Sequence, residues 1–131
     1  MSQENVEVVR AGFEAYNRRD FDAALALAHD SISLWLLISV ETDVLRGKQE
    51  IRAAWESQVE AIDVHIDVVE STPLDETRVL CVGKWTGRGP GSGVSVEQTA
   101  VQVYTFKDGL IYSIELYASK AEALKAVGLE E

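Results

Sequence analysis

Three side chains beside apolar residues could carry acid–base chemistry. Glu115 lies between two apolar residues in the segment VYTFKDGLIYSIELY (103–117), Glu97 lies in the strand-like run before it, and His29 ends a helix-like pattern. Burial raises the pKa of a carboxyl group, so a glutamate inside a pocket can act as a general base near neutral pH. The direction of these side chains therefore decides whether the protein is an enzyme or a container for a ligand.

The direction of Glu115 depends on the turn at 107–109. Lys-Asp-Gly predicts a three-residue loop with a bulge, and this register pairs Gln102 with Ile114 and places Glu115 on the opposite face. A two-residue turn would pair Gln102 with Glu115, because a shift of one residue moves every side chain of the second strand to the other face. We favour the bulged register. Its shared face carries Ala100, Gln102, Tyr104, Tyr112, Ile114 and Leu116.

Glu97 and His29 each have a structural alternative. Glu97 is the best general base if it faces inward, but a bend in its long strand leaves that parity open. His29 either has a chemical role or stabilises the end of the helix before it, where a cation is favourable. These two are our candidate catalytic residues.

Gln102 and Tyr104 share one strand face in either register. A buried amide without a hydrogen-bond partner costs about 1–3 kcal/mol. Gln102 therefore either orients a ligand carbonyl or hydroxyl, with Tyr104 or Tyr16 as donor, or bonds a neighbouring tyrosine or a water.

The three tryptophans are expected in different places. Trp35 is predicted to line the pocket if its strand presents it inward. Trp55 lies on the apolar stripe of a helix and is predicted to pack in the core. Trp85, near a glycine-rich loop, is expected at a dimer surface or at the pocket rim.

No metal, cofactor or disulfide is predicted. Asp63, His65 and Asp67 alternate along one strand, and this pattern is typical of a solvated face. Neighbours two apart on a strand lie about 7 Å apart, so a metal would need more ligands from elsewhere. Cys81 is the single cysteine. The loop GRGPGSG (87–93) lacks the Lys-Ser/Thr ending of a phosphate-binding loop.

Composition limits the partners. The chain has 131 residues and a formal net charge of −10, so one domain spanning 1–131 is expected and nucleic-acid binding is disfavoured. No apolar run approaches the ~20 residues of a membrane span. The polar N-terminal segment does not resemble a secretory signal, and a cytoplasmic location is expected.

Hydrophobic periodicity predicts helices early and strands late. The third helix has apolar residues at Ile51, Trp55, Val59 and Ile62, and 41–45 looks like a loop. The predicted helices are 3–18, 21–28, 49–62 and 120–127, and the predicted strands are 31–39, 64–70, 78–86, 94–106 and 110–117. Short turns between the late strands favour a curved antiparallel sheet wrapped around the N-terminal helices, an α+β fold.

Three segments resemble SnoaL-like proteins of the nuclear-transport-factor-2-like, ketosteroid-isomerase-like superfamily. They are MSQENVEVVRAGFEAYNRRDFDAALALAHD, RGKQEIRAAWE and VYTFKDGLIYSIELY with the short helix that follows. The resemblance covers nearly the whole chain. It implies a cone-shaped fold with a hydrophobic pocket open at one end, and a homodimer formed through the outer sheet face. It does not imply one activity, because the superfamily includes isomerases, cyclases and binding modules.

The resemblance also indicates which catalytic residues are missing. The acid–base aspartate of SnoaL-like cyclases corresponds to Leu116, and their pocket histidine to Gln102. The proton-transferring aspartate of ketosteroid isomerases falls near Trp35, and their oxyanion tyrosine near Gly12. Since leucine and tryptophan cannot transfer a proton as these aspartates do, the resemblance does not predict the usual chemistry of either group.

The sequence therefore predicts a small hydrophobic organic ligand in a pocket, bound without a cofactor. Two hypotheses stay open beside plain ligand binding. One is acid–base isomerisation, cyclisation or hydration with an atypical base, and the other is a dimerisation module whose pocket is filled by its own side chains. The predicted ligand-binding residues are Tyr16, Trp35, Gln102, Tyr104, Tyr112, Ile114 and Leu116.

Overall fold

The computed structural model describes residues 2–36, 43–89 and 95–128. Within these ranges lie four helices and six strands. The helices are α1 (Ser2–Asn17), α2 (Phe21–Ala26), α3 (Gly47–Ala61) and α4 (Lys120–Ala126). The strands are β1 (Ala28–Leu36), β2 (Asp43–Arg46), β3 (Asp63–Pro73), β4 (Arg78–Arg88), β5 (Ser95–Lys107) and β6 (Leu110–Tyr117).

Local sequence explains where the helices begin and which side they bury. In α1 the residues Val6, Val9, Phe13 and Tyr16 recur every three or four positions and are all buried. Asp20 caps α2, its carboxylate accepting a hydrogen bond from the Ala23 N–H at 3.1 Å. The hydroxyl of Ser119 caps α4 in the same way.

The sheet is curved and unclosed, with the strand order β2-β1-β6-β5-β4-β3. All neighbouring pairs are antiparallel except β1 and β6, which run parallel and make the sheet mixed. The predicted α+β class with helices against a curved sheet is confirmed. Helices α1, α2 and α3 pack with the concave face in the main core.

A second, smaller core lies on the convex face. It joins buried side chains of β4, β5 and β6 to Ala123 of α4. The C-terminal helix therefore covers part of the outer sheet face, which the sequence alone did not indicate.

Most elements begin or end within a few residues of the predicted bounds, and two differences change the sheet or the helix next to it. Part of the predicted loop 41–45 is β2, because it pairs with β1 from Leu36↔Asp43 to Ser33↔Arg46. Strand β1 begins at Ala28, so the predicted second helix is two residues too long. Residues 37–39 of the predicted strand, 41 and 42 of the predicted loop, and position 94 lie outside the described residues.

In the β5–β6 hairpin, Gln102, Ile114 and Leu116 share a face as predicted, but the turn and the strand register differ from the prediction. Asp108 and Gly109 both have positive φ, 55° and 77°, and form a two-residue turn that pairs Lys107 with Leu110. The register then shifts at Tyr112, so that Gln102 pairs with Leu116 and Val103 with Glu115. The predicted pairing of Gln102 with Ile114 is wrong, whereas the predicted shared face of Gln102, Ile114 and Leu116 is correct. One extra residue compensates for the shorter turn.

No helix among the described residues is both long and apolar enough to span a bilayer.

Candidate ligand-binding cavity

A cavity of about 620 Å³ lies between the helices and the concave face of the sheet. Its volume is within the range of small-molecule sites. The walls are mainly aliphatic and aromatic. The apolar lining residues are Val9, Gly12, Phe13, Ala24, Leu25, Ala28, Ile32, Leu34, Leu36, Leu45, Ala54, Trp55, Ala61, Ile66, Trp85, Ala100, Ile111, Ile114 and Leu116.

One polar group in the cavity belongs to the sheet. The Tyr104 hydroxyl donates a hydrogen bond to Gln102 Oε1 at 2.8 Å, two residues away on the same face of β5. Both side chains are buried, with 7% and 8% of their surfaces exposed. The Tyr104 ring also packs edge-to-face on Phe13 of α1. Helix and sheet packing thus fixes the tyrosine that holds the Gln102 amide.

A second polar group of the same kind belongs to the helices. The Tyr16 hydroxyl of α1 donates a hydrogen bond to Gln58 Oε1 of α3 at 2.7 Å. The Tyr16 ring packs against Phe21 and Trp55. These aromatic contacts join α1, α2 and α3 into one wall of the cavity.

The end of α1 is attached to the edge strand β3. The Asn17 side chain donates to the Ile66 carbonyl at 2.8 Å and accepts from the Ile66 N–H at 2.9 Å. Arg19 donates to the Val64 carbonyl. The amide of Asn17 thereby makes the two hydrogen bonds to Ile66 that a neighbouring strand would make, and it fixes the distance between α1 and the sheet.

The two tyrosines are uncharged at neutral pH. Burial raises the pKa of Tyr104 well above its ordinary value. Burial also raises the pKa of Tyr16, although the positive charge of Arg19 opposes the shift. Among the described residues that line the cavity there is no Asp, Glu, His, Lys or Arg. The described walls therefore carry hydrogen-bonding groups without a formal charge.

The mouth lies where the lining residues become exposed. These are residues on one face of α3, such as Ser57 and Ala61, and Gln98 near the start of β5. Gln98 pairs across the strands with Trp85. The opposite end, around Val9 and Ile32, is buried.

The structure brings together five of the seven predicted ligand-binding residues. Tyr16, Gln102, Tyr104, Ile114 and Leu116 all border the cavity. Their role in ligand binding remains a prediction.

Trp35 is not among the lining residues, contrary to expectation. Alternation along β1 turns Leu34 and Leu36 inward and Trp35 outward. On the outer face Trp35 Nε1 donates to Ser33 Oγ at 2.9 Å, and the guanidinium of Arg46 lies over its ring.

Tyr112 also lies outside the cavity, because it is the extra residue of the β6 bulge. Its ring packs edge-to-face on His29, and the Lys107 ammonium lies over it. Ile111 lines the cavity at this point of β6.

Neither predicted catalytic residue borders the cavity. Glu97 faces outward with 64% of its side chain exposed and forms an ion pair with Lys84 at 3.4 Å. His29 Nδ1 accepts a hydrogen bond from the Ser31 N–H at 2.9 Å. Glu115 lies on the convex face, where it accepts from the Tyr117 hydroxyl at 3.1 Å.

Among the lining residues that the sequence did not assign to the cavity are Trp55, Gln58 and Gln98. Trp55 and Gln58 lie three positions apart on α3, and this spacing puts them on one helical face. Trp55 packs against the main core, as predicted, and also borders the cavity. For Trp85, the rim alternative agrees with its place beside the cavity.

No cluster of three or more His, Cys, Asp or Glu that could hold a metal occurs in the described part of the chain. His65 and Asp67 contact each other at 3.1 Å, with more than half of each side chain exposed.

The family profile of the SnoaL-like domain matches residues 9–114. The chain belongs to the SnoaL-like domain family. The matched residues begin within α1 and run through β5 into the first part of β6. No curated protein is significantly similar to this SnoaL-like protein.

Solved structures with the same fold include a putative polyketide cyclase from Xanthomonas campestris pv. campestris, at 23% identity and a TM-score of 0.78, with coverage of 96% of this chain and 98% of that one. A second is RV0760c from Mycobacterium tuberculosis in complex with estradiol-17β-hemisuccinate, at 16% identity and a TM-score of 0.79, covering 89% and 95%. A third is the epoxide hydrolase/cyclase-like enzyme SalBIII, at 22% identity and a TM-score of 0.77, covering 90% and 92%. These likenesses show a shared fold.

Proposed function

We propose that this SnoaL-like protein binds an uncharged, largely apolar organic molecule in the cavity and does not transform it. The observation that carries this proposal is the composition of the described walls: many apolar side chains, a few neutral hydrogen-bonding groups and no ionisable residue that titrates near neutral pH. Such a site desolvates an apolar ligand favourably and orients it through a few polar contacts.

One fold neighbour supports the apolar part of such a ligand. RV0760c was solved in complex with estradiol-17β-hemisuccinate, a rigid steroid skeleton whose succinate half-ester carries a free carboxyl group, so the skeleton and not the charge bears on the proposal. A rigid polycyclic molecule has a size and polarity suited to a cavity of about 620 Å³ with aromatic walls.

An acid–base enzyme is the alternative, and the name of SalBIII favours it. A general base must lie within about 3 Å of the proton it removes, or reach it through one water. Glu97 and His29 lie outside the cavity, and the described lining offers only tyrosines whose pKa values are raised. For these reasons we favour binding over catalysis.

The cavity also bears on the third hypothesis, a pure dimerisation module. That hypothesis needs a pocket filled by the protein's own side chains, whereas about 620 Å³ is open here.

We keep the homodimer, the cytoplasmic location and cofactor-independent action as proposals. Light scattering on the purified protein would test the homodimer.

Ligand binding can be tested with 17β-estradiol and with Nile red, an uncharged apolar dye. We expect saturable binding of one molecule per chain, detected by dye emission and by the fluorescence of Trp55 and Trp85 at the cavity wall. Ala54→Phe places a ring in the cavity and should weaken binding roughly tenfold or more, about 1.4 kcal/mol.

Ala53→Phe is the matched control, because Ala53 is exposed on the same helix and is not among the lining residues. It should bind like wild type. Absence of saturable binding, or equal loss in the two variants, would contradict the proposed site.

A further inference from the structure

The two tyrosine–glutamine pairs leave the amide N–H donors of two cavity-lining residues, Gln58 and Gln102, without an acceptor in the described part of the chain. A tyrosine hydroxyl has one proton, and in each pair that proton is donated to the glutamine Oε1. A glutamine amide has two N–H donors. Among the described residues, no acceptor lies within hydrogen-bond distance of Gln58 Nε2 or Gln102 Nε2. Neither nitrogen is among fully buried polar atoms without a partner, because the described residues contain no such atom. Both nitrogen atoms therefore border accessible space.

The tyrosines orient these amides. In each pair the tyrosine hydroxyl donates and the glutamine Oε1 accepts, and this hydrogen bond holds the amide in place. The amide nitrogen is then left to face a ligand. A ligand atom that satisfies it must be a hydrogen-bond acceptor, such as a carbonyl, ether or hydroxyl oxygen.

The two donors lie on different walls. Gln102 is buried in the sheet, paired with Leu116 of β6. Gln58 is half-buried on α3, one position from the exposed Ser57 at the mouth. A single rigid ligand that meets both donors needs two separated acceptors, one deeper in the cavity and one nearer the mouth.

The described walls also select against charge. A carboxylate or phosphate entering the cavity would lose its hydration and meet no lysine or arginine there. An ammonium would meet no carboxylate. A buried charge without a partner is far more costly than a buried neutral oxygen.

From these observations we infer that the ligand is a neutral, rigid, apolar molecule with two separated hydrogen-bond acceptors, one bound by the Gln102 amide and one by the Gln58 amide. This inference rests on the proposed binding function and specifies the class of ligand.

Three steroid probes with related skeletons test it by titration calorimetry and tryptophan fluorescence. They are androst-4-ene-3,17-dione with two ketones, 5α-androstan-17-one with one, and 3-oxoandrost-4-ene-17β-carboxylic acid with a charge at pH 7.5. We expect the diketone to bind about tenfold more tightly than either of the other two probes. The monoketone leaves one amide donor without an acceptor, and the acid buries a charge without a partner.

Gln102→Met and Gln58→Met remove the amides at similar volume. Each should weaken diketone binding about tenfold, whereas the monoketone should respond to only one of them. Gln49→Met is the matched control, because Gln49 is exposed on α3 and is not among the lining residues. It should bind all probes like wild type. Thermal unfolding of each variant checks the fold, and the wild-type probe series decides the question even if a variant unfolds.

The outcomes distinguish failure of the inferred ligand class from failure of the proposed binding function. Equal binding of diketone and monoketone, or of diketone and acid, by the wild-type protein overturns the inference and leaves the binding function intact. Binding of the diketone unchanged in both folded glutamine variants does the same. Failure of all three probes to bind saturably overturns the proposed function together with the inference.

Discussion

Asn17→Ala should destabilise the protein strongly, because one side chain holds α1 to the sheet. Its amide makes two hydrogen bonds with the backbone of Ile66, at 2.8 and 2.9 Å, on the edge strand β3. Each such bond contributes about 1 kcal/mol net, and a partly buried backbone group left unpaired costs about 1–3 kcal/mol. Because water can reach part of this edge, we expect the free energy of unfolding to fall by about 2–4 kcal/mol.

Urea unfolding followed by circular dichroism measures this loss. A loss of this size corresponds to a fall in Tm on the order of 10 °C for a chain of this length. Glu14→Ala is the matched control, since Glu14 is an exposed residue of the same helix, and its effect should stay within about 0.5 kcal/mol. If Asn17→Ala cost no more than Glu14→Ala, the view that this amide completes the edge of β3 would be refuted.

Three further predictions follow from the facing of β5 and β6 and from the buried thiol. Leu116→Glu should abolish binding of 17β-estradiol at pH 7.5 in the folded fraction, because it places a charge in the cavity wall, whereas Glu115→Gln on the convex face should leave the dissociation constant within about twofold. Equal effects of the two changes would mean that the hairpin is paired differently. The Cys81 thiol should react slowly with iodoacetamide in the folded state at pH 8, because burial raises its pKa from 9.0 to about 11; alkylation as fast as in urea would contradict that burial. Since the folded-state pKa lies above the unfolded value, this thiol stabilises the fold fully below pH 9 and loses that contribution as the pH rises toward about 11. Urea titrations should therefore give a shallower decline in stability over this pH range for Cys81→Ala than for wild type.

Some features of the molecule follow from the sequence alone because local chemistry specifies them. The stripe Val6, Val9, Phe13 and Tyr16 has helical spacing, and it forms the buried side of α1. Asp20 and Ser119 cap helices as side chains of their type do elsewhere. The shared face of Gln102 and Tyr104 on β5 was also predicted correctly, because alternation along one strand needs no long-range information.

Other features depend on contacts between distant segments. Trp35 is outward because β1 pairs in parallel with β6, where it lies opposite Glu115. Its apolar neighbours gave the sequence no alternation from which to decide the face. The sheet face on which Glu97 lies likewise follows from its pairing with Thr86 on β4.

In the β6 bulge, the local sequence specifies the turn, whereas contacts between the strands decide the position of Tyr112. The sequence 107–109 indicates a tight turn, and both Asp108 and Gly109 have the positive φ that a two-residue turn requires. Nothing local specifies that Tyr112 is then left out of the ladder. A bulge is retained where it places apolar side chains in the core, and here it returns Ile114 and Leu116 to the cavity side.

The sequence by itself thus determined the four helices, five of the six strands and the acidic character of this SnoaL-like protein, since these depend on residue type and short-range periodicity. The tertiary structure decided which side chains meet in the cavity. It joined Tyr16 to Gln58 across 42 positions of chain and turned the carboxylates of Glu97 and Glu115 away from the cavity. Such choices depend on strand register and helix packing, where the burial of many side chains together outweighs the preference of any one residue.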